Sequence, residues 1–344
     1  MKKTTLILSL IFAFALFFGC STSNDGNGNT TTAVIPLAPT NLNGQLISAT
    51  QINLTWIDNS TNETGFKIER KTGTGPYAII GTTTADNTTY NDTSAIPNST
   101  YTYRVYSFNS GGNSINYSNE YTQTITAVSD IDGNYYLTTS ISNTYWTTKN
   151  LNVSHYRNGD IIPQVTDPTQ WQNLTTGAWC YYNNDPTNEA IYGKLYNWYA
   201  ATDPRGLAPT GYHIPSDNEW TILSNYLGGV NVAGGKLKAT GITLWQSPNL
   251  NATNSSGFNG IPGGNRNLYG TFYSINQNAY WISSSLQNAY CCGSGYVAGY
   301  GVSVNKDDGT LDLGKLHYDI NGNDLYAVGN KNAKMGLSVR CVKD

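Results

Sequence analysis

Between Ile52 and Trp56 apolar and polar residues alternate, with Ile52, Leu54 and Trp56 set against Asn53 and Thr55. A period of two buries one face of a strand. The pattern returns as Phe66, Ile68 and Arg70 in GFKIERK, and as Tyr101, Tyr103 and Val105 in TYTYRVY. Turn-rich pieces, DNSTNETG, KTGTGP and TADNTTYND, separate these runs. Short strands at this spacing predict an all-β sandwich. No cysteine lies in this region, so Trp56 is the expected core anchor. Further along the period changes. Trp220, Leu223 and Leu227 recur at i, i+3 and i+7, the stripe of a helix with one buried side. Ser216 is placed to cap that helix, and Glu219 three residues later completes a capping box. Asp217 suits the dipole of the first turn, and Gly228-Gly229 ends the helix. Asp132-Gly133, Asp308-Gly309 and Asn321-Gly322 mark hairpin turns.

The N-terminal pattern is of another kind. Lys2 and Lys3 precede an apolar run that stops at Gly19, and Cys20 follows. The run is too short and too cleanly ended for a stable membrane span, so residues 1–19 read as a secretory signal. A small residue before a cysteine resembles the bacterial lipobox, which implies cleavage before Cys20 and lipidation of its thiol. Residues 20–36, small, polar and rich in Gly, Asn and Thr, then form a flexible tether. The expected partner at this end is a membrane, reached through the lipid anchor. No aspartate follows Cys20 directly, which by resemblance to bacterial sorting rules favours the outer membrane or cell surface.

Composition narrows the functional classes. The formal charge is -3, and losing Lys2 and Lys3 takes it to -5. No basic stripe survives, so no nucleic-acid partner is expected. Charged residues are only 12%, while there are 26 tyrosines and 35 glycines, so neutral polar side chains must cover much of the surface. That is the profile of an exported, turn-rich β protein.

The stretch GYHIPSDNEW holds a histidine, an aspartate, a glutamate and a serine within ten residues. Capping accounts for its acidic residues, and no serine or cysteine nucleophile can be assigned to His213. Nucleophile-elbow, zinc-protease, phosphate-loop and dinucleotide motifs are absent from the sequence. No catalytic and no metal-ligating residue is therefore assigned, and no cofactor is expected. Asp130 with Asp132, DINGNDLY from Asp319 and NKDDGTLD leave room for a loose surface calcium, but each reads more economically as a turn. Adjacent Cys291 and Cys292 suit a disulfide or free thiols better than a soft-metal site. Most tryptophans suit a core. Trp245, in ITLWQSPNLN, is the most loop-borne, and together with Tyr290 and Tyr296 it is a candidate ligand-facing aromatic.

Two families emerge from these pieces. INLTWIDNSTNETGFKIERK and IPNSTYTYRVYSFNSGGNS resemble a fibronectin type III domain, here residues 37–127. That resemblance makes Tyr101 the corner tyrosine, its hydroxyl bonding back to the backbone. DIDGNYY, WTTKNLNV, YRNGDIIP, WCYYNNDPTNEAIYGKLYNWYAATDPRGLAPTGYHIPSDNEW, SGFNGIPGGNRN and GLSVRCVKD resemble the Fibrobacter succinogenes major paralogous domain, here residues 128–344. The stretch from Cys291 to about Lys334 is longer and more irregular than that family's usual run of strands. More remotely, IPSDNEW and GLSVRC resemble signatures of formylglycine-generating enzymes and C-type-lectin-like folds. The implied second domain is α+β, with short antiparallel strands, one or two helices and long loops. The family pieces also imply a disulfide between Cys180 and Cys341. The expected function is non-catalytic binding or adhesion at the cell surface, towards a polysaccharide or glycoprotein. A structural envelope protein and a polysaccharide-active enzyme are the competing readings.

Overall fold

In the computed structural model, residues 34–288, 297–313 and 332–344 are described. Residues 1–33, with the expected signal segment, Cys20 and most of the expected tether, lie outside the described residues. So do Tyr290, Cys291, Cys292, Tyr296 and the Asn321-Gly322 turn.

The alternating runs become strands β1 (Thr40–Ser48), β2 (Gln51–Ile57), β3 (Gly65–Thr72), β4 (Ala78–Thr84), β5 (Thr89–Asp92), β6 (Thr100–Asn109), β7 (Gly112–Asn113) and β8 (Tyr121–Thr124). One sheet has the order β1-β2-β5; the other runs β4-β3-β6-β7, with β8 also on β6. Ile52, Leu54, Trp56, Phe66, Ile68, Tyr101, Tyr103 and Val105 fill the space between the sheets. Trp56 is buried and meets Phe66 edge-on, with ring centroids 5.5 Å apart. The Tyr101 hydroxyl accepts the Ile96 N–H at 2.8 Å, which is the expected corner. Arg70 continues the apolar alternation of β3 with good reason: its guanidinium lies over the Tyr101 ring and donates to the buried Asp92 carboxylate at 2.7 Å.

The chain continues through β9 (Ala127–Ser129), β10 (Tyr135–Ile141), β11 (Thr144–Thr147), α1 (Pro168–Gln172), β12 (Trp179–Cys180), α2 (Glu189–Tyr192), β13 (Leu195–Tyr196), α3 (Trp198–Ala201) and β14 (Tyr212–His213). Next come α4 (Asp217–Tyr226), α5 (Val230–Leu237), β15 (Gly263–Arg266), β16 (Phe272–Ile275), β17 (Asn278–Asn288), β18 (Val297–Asn305), β19 (Asp312–Leu313) and β20 (Val342–Lys343). Strands dominate and helices are few and short. The largest sheet of this part has the order β14-β20-β11-β10-β9. Its first hairpin is the predicted Asp132-Gly133 turn. The Asp130 carboxylate fixes it by accepting the N–H groups of Asp132 and Asn134 and the Tyr136 hydroxyl. Gly133 takes φ +82°, which a side chain would disfavour.

Helix α4 forms as its spacing predicts. The Ser216 hydroxyl accepts the Glu219 N–H, and the Glu219 carboxylate accepts the Ser216 N–H at 2.8 Å. Trp220, Leu223 and Leu227 are buried. Trp220 enters an aromatic cluster with Trp146, Phe258 and Trp281, whose neighbouring ring centroids lie 4.8 to 6.1 Å apart. Helix α5 has no periodic signature in the sequence, because Gly234 and Gly235 interrupt it. Both are needed for space. A Cβ on Gly234 would collide with the Thr310 carbonyl, and one on Gly235 with the Asn251 carbonyl.

Candidate functional site

Long loops leave carbonyl groups with no ladder partner, and burial makes each of them costly. This domain satisfies them with buried cations. Arg340, in GLSVRC, is fully buried. Its guanidinium donates to the carbonyls of Thr147, Phe258 and Asn259 at 2.8 to 2.9 Å, and to Asn150 Oδ1 at 2.8 Å. Asn150, in WTTKNLNV, is the second half of this hub. Its Oδ1 also accepts from Trp281 Nε1 at 3.0 Å, and its Nδ2 donates to the Tyr192 carbonyl and Ser338 Oγ. Burial pushes the Arg340 pKa down to about 9, which still leaves it charged at neutral pH. Arg266 repeats the device. It donates to the carbonyls of Val165, Thr166 and Gly270 while lying against the Trp171 ring. Lys238 Nζ donates to the carbonyls of Leu250, Asn305 and Asp308 at 2.6 to 2.9 Å. The motif residues thus converge, but on buried hubs and not on an open cleft.

The same contacts explain NKDDGTLD. Asp308 Oδ1 accepts the N–H and hydroxyl of Thr310, while Asn305 Oδ1 accepts the N–H groups of Asp307 and Asp308. The cation inside this loop is the Lys238 ammonium.

His213 lies on β14 between two carboxylates. Nδ1 is 2.7 Å from Asp344 Oδ1, and Nε2 is 2.7 Å from Glu219 Oε1. Partial burial works against the imidazolium, yet Asp344 and Glu219 outweigh it and raise the His213 pKa above the usual 6.5. Glu219 moves the other way. Burial opposes its charge, but hydrogen bonds from Ser216 and His213 hold it below the usual 4.5. The histidine therefore stabilises the fold fully below pH 6.5, and that contribution fades as pH rises through its raised pKa. The glutamate contributes above pH 4.5 and loses its effect as pH falls through its lowered one. The clasp is complete between those values, so the melting midpoint should decline on the alkaline side. In His213→Ala that alkaline decline should be flattened; equal pH profiles for the two proteins would refute the clasp. A small cavity beside it is lined by Ile141, Thr144, Trp146, Glu219, Ile222 and Val342. Both ring nitrogens of His213 face carboxylates, an arrangement that fixes the ring and offers no activated nucleophile.

Two sequence expectations need correction. Trp245 sits in an irregular segment, but its ring is 1% exposed and Nε1 donates to the Gly260 carbonyl, so it offers no face to a ligand. Cys180 and Cys341 are not joined: both are free thiols, buried in different clusters. Cys180 packs with Val165, Trp171 and Leu195, whereas Cys341 packs with residues that include Tyr136, Ile214 and Val339. Burial pushes the Cys180 thiol up to about 12 against the pull of Arg266, and raises Cys341 as well. Neither is a reactive thiolate at neutral pH.

A group that sequence reading missed lies in the sandwich. Ligand atoms of Asp58, Glu63 and Asp86 fall within 4.8 Å of one another, a set that could hold a cation. Burial and the neighbouring carboxylates raise the Asp58 pKa against the Ser60 N–H. Asp86 is 23 residues beyond Glu63 in the chain, a separation that gives no local signature.

The architecture is that of a β-sandwich joined to a strand-rich domain with buried cationic hubs. Residues 37–124 match the fibronectin type III domain. Residues 139–343 match the Fibrobacter succinogenes major domain, and the chain belongs to that family. No curated protein matches the chain. Among solved structures, domains A168–A170 of titin share 22% identity over 26% of this chain and 32% of that one, with a TM-score of 0.24. The chicken CNTN1 FN1–FN3 domains share 18% over 27% and 32%, with a TM-score of 0.25. An Fn3-like protein from Clostridium thermocellum shares 28% over 25% and 90%, with a TM-score of 0.23. The chain spans about a third of the length of the titin and CNTN1 chains.

Proposed function

We propose that this is a cell-surface protein with a non-catalytic binding or adhesion role, towards a polysaccharide or glycoprotein. The pairing of a fibronectin type III domain with the family domain suits a surface or adhesion-type protein. In this reading residues 1–19 are removed, Cys20 carries the lipid in the outer membrane, residues 20–36 are the tether, and 37–127 space the domain 128–344 from the bilayer. The lectin-like architecture belongs to the same proposal, its ingredients being short antiparallel strands, α4, α5 and long loops.

One observation carries the reading. Asn150, Lys238, Arg266 and Arg340, polar residues of the kind that perform chemistry, are buried and hydrogen-bonded within the fold. What faces solvent instead includes Tyr135, Tyr145, Tyr226 and Tyr269. Aromatic faces can stack on sugar rings while the hydroxyls stay wet. These residues replace Trp245 as the aromatic candidates.

The test is a glycan array probed with the purified chain, with and without EDTA. Saturable binding weakened several-fold by Tyr226→Ala or Tyr269→Ala is the expected result. Loss with EDTA would add a cation, for which Asp58, Glu63 and Asp86 are the residues to mutate. No binding to plant, algal or host glycans would reject the glycan ligand and favour a structural envelope role.

A further inference from the structure

The buried lysine at position 194 differs from the other buried cations. Lys238 and Arg266 contact backbone carbonyls, and Arg340 adds one side-chain amide. Lys194 Nζ instead lies 3.0 Å from Asn152 Oδ1 and 3.0 Å from Glu189 Oε1, with the Asn152 carbonyl at 2.6 Å. The same Glu189 Oε1 accepts from Asn152 Nδ2 at 3.1 Å. One carboxylate oxygen therefore touches both an amine and the amide nitrogen of a neighbouring carboxamide. The Lys194 side chain is 3% exposed, with Nζ 4.7 Å from the centre of the Trp179 ring. Backbone contacts hold the group in place: Lys194 N–H donates to the Leu151 carbonyl, and Asn152 N–H to the Tyr136 hydroxyl.

We propose that Lys194 and Asn152 form an intramolecular isopeptide bond, with Glu189 as the proton-transfer group. A desolvated lysine amine 3.0 Å from a carboxamide oxygen is a nucleophile one bond from the carbon it must reach, and positioning replaces the activation that a free amide would need. Glu189 takes a proton from the Lys194 ammonium, and the neutral amine attacks Cγ of Asn152. Glu189 then returns that proton to Nδ2, the Cγ–Nδ2 bond breaks as ammonia leaves, and the ammonia takes the second amine proton, so that the products are the amide and ammonium. Of the three ammonium hydrogens, one stays on the new amide nitrogen and two depart with the Asn152 NH2 as ammonium. No oxidant, metal or external reagent enters the balance. Burial opposes the charge on Glu189, but hydrogen bonds from Lys194 and Asn152 hold its pKa below the usual range. Glu189 is thus held as the carboxylate that the first proton transfer needs as its acceptor.

The test is peptide mapping of the purified full chain after incubation in the folded state. Trypsin cuts after Lys149, Arg157, Lys194 and Arg205 in an unlinked chain. The expected product is peptide 150–157 joined to 158–205, uncut at Lys194, about 17 Da lighter than the sum of the two because ammonia is lost. Lys194→Met should abolish it. Glu189→Gln should cut its yield at least tenfold while the circular dichroism of the chain is unchanged. Free peptides 150–157 and 158–194 after prolonged incubation would overturn the proposal. So would a loss of ammonia confined to Asn152, with Lys194 still cleaved, since that is a succinimide. Full linkage in Glu189→Gln would overturn the role given to the carboxylate.

Discussion

Arg340→Met should destabilise the C-terminal domain by about 3–5 kcal/mol, the range found when one partner of a buried charged contact is removed. The side chain that replaces it fills a similar volume, so the loss is chiefly one of hydrogen bonds. The carbonyls of Thr147, Phe258 and Asn259 lose donors inside a region closed to water. Each unpaired buried acceptor costs about 1–3 kcal/mol. Lysine in the same place restores the charge but not the planar fork, and the three hydrogens of one ammonium cannot replace four bonds to Thr147, Asn150, Phe258 and Asn259. Arg340→Lys should therefore recover less than half of the loss. Seven of the eight tryptophans lie beyond residue 127, so denaturant unfolding followed by tryptophan emission reports mainly on this domain. An Arg340→Met midpoint equal to that of the unaltered protein would mean that the hub carries little of the stability.

Trp281→Ala should cost about 3–5 kcal/mol by the same assay, in the range of large-to-small changes at buried aromatic positions. The ring is fully buried, stacks on Trp220 at 6.1 Å and meets Phe258 edge-on at 5.2 Å. Its Nε1 also donates to Asn150 Oδ1, the oxygen that receives Arg340 Nε. The two substitutions therefore share a partner. The double variant should lose clearly less than the sum of the single losses, because the second change strikes a hub already opened. Strict additivity would contradict the shared-partner account.

What was legible in the sequence was local. The alternation in β2, β3 and β6, the corner at Tyr101 and the capping box of α4 each depend on residues within a few positions, and each forms as read. The hubs were not legible, since Arg340 reaches Thr147 across 193 positions and no periodicity reports such a meeting. Trp245 misled for a different reason. Irregular backbone says little about where a ring points, and here the loop folds its aromatic inward under Gly260. Cys180 and Cys341 both sit in family pieces, but membership of such pieces does not report proximity, and the fold sends them to separate clusters. Helix α5 was hidden because Gly234 and Gly235 look like breakers until the crossing loops above them are seen.

The place of β20 has a temporal consequence. It is the last strand of the described chain, yet it lies between β14 and β11, and the adjacent Arg340 closes loops laid down almost 200 residues earlier. A chain delivered from its N-terminus can complete the sandwich early, since β1 to β8 need nothing downstream to pair. The second domain cannot do so. Its central sheet stays split, and its loop carbonyls stay wet, until the residues around 336–343 arrive. Such distant closures slow folding. Until then this half of the protein passes through a long-lived open form, exposed to proteases and in need of a holding chaperone, while the sandwich ahead of it is already folded.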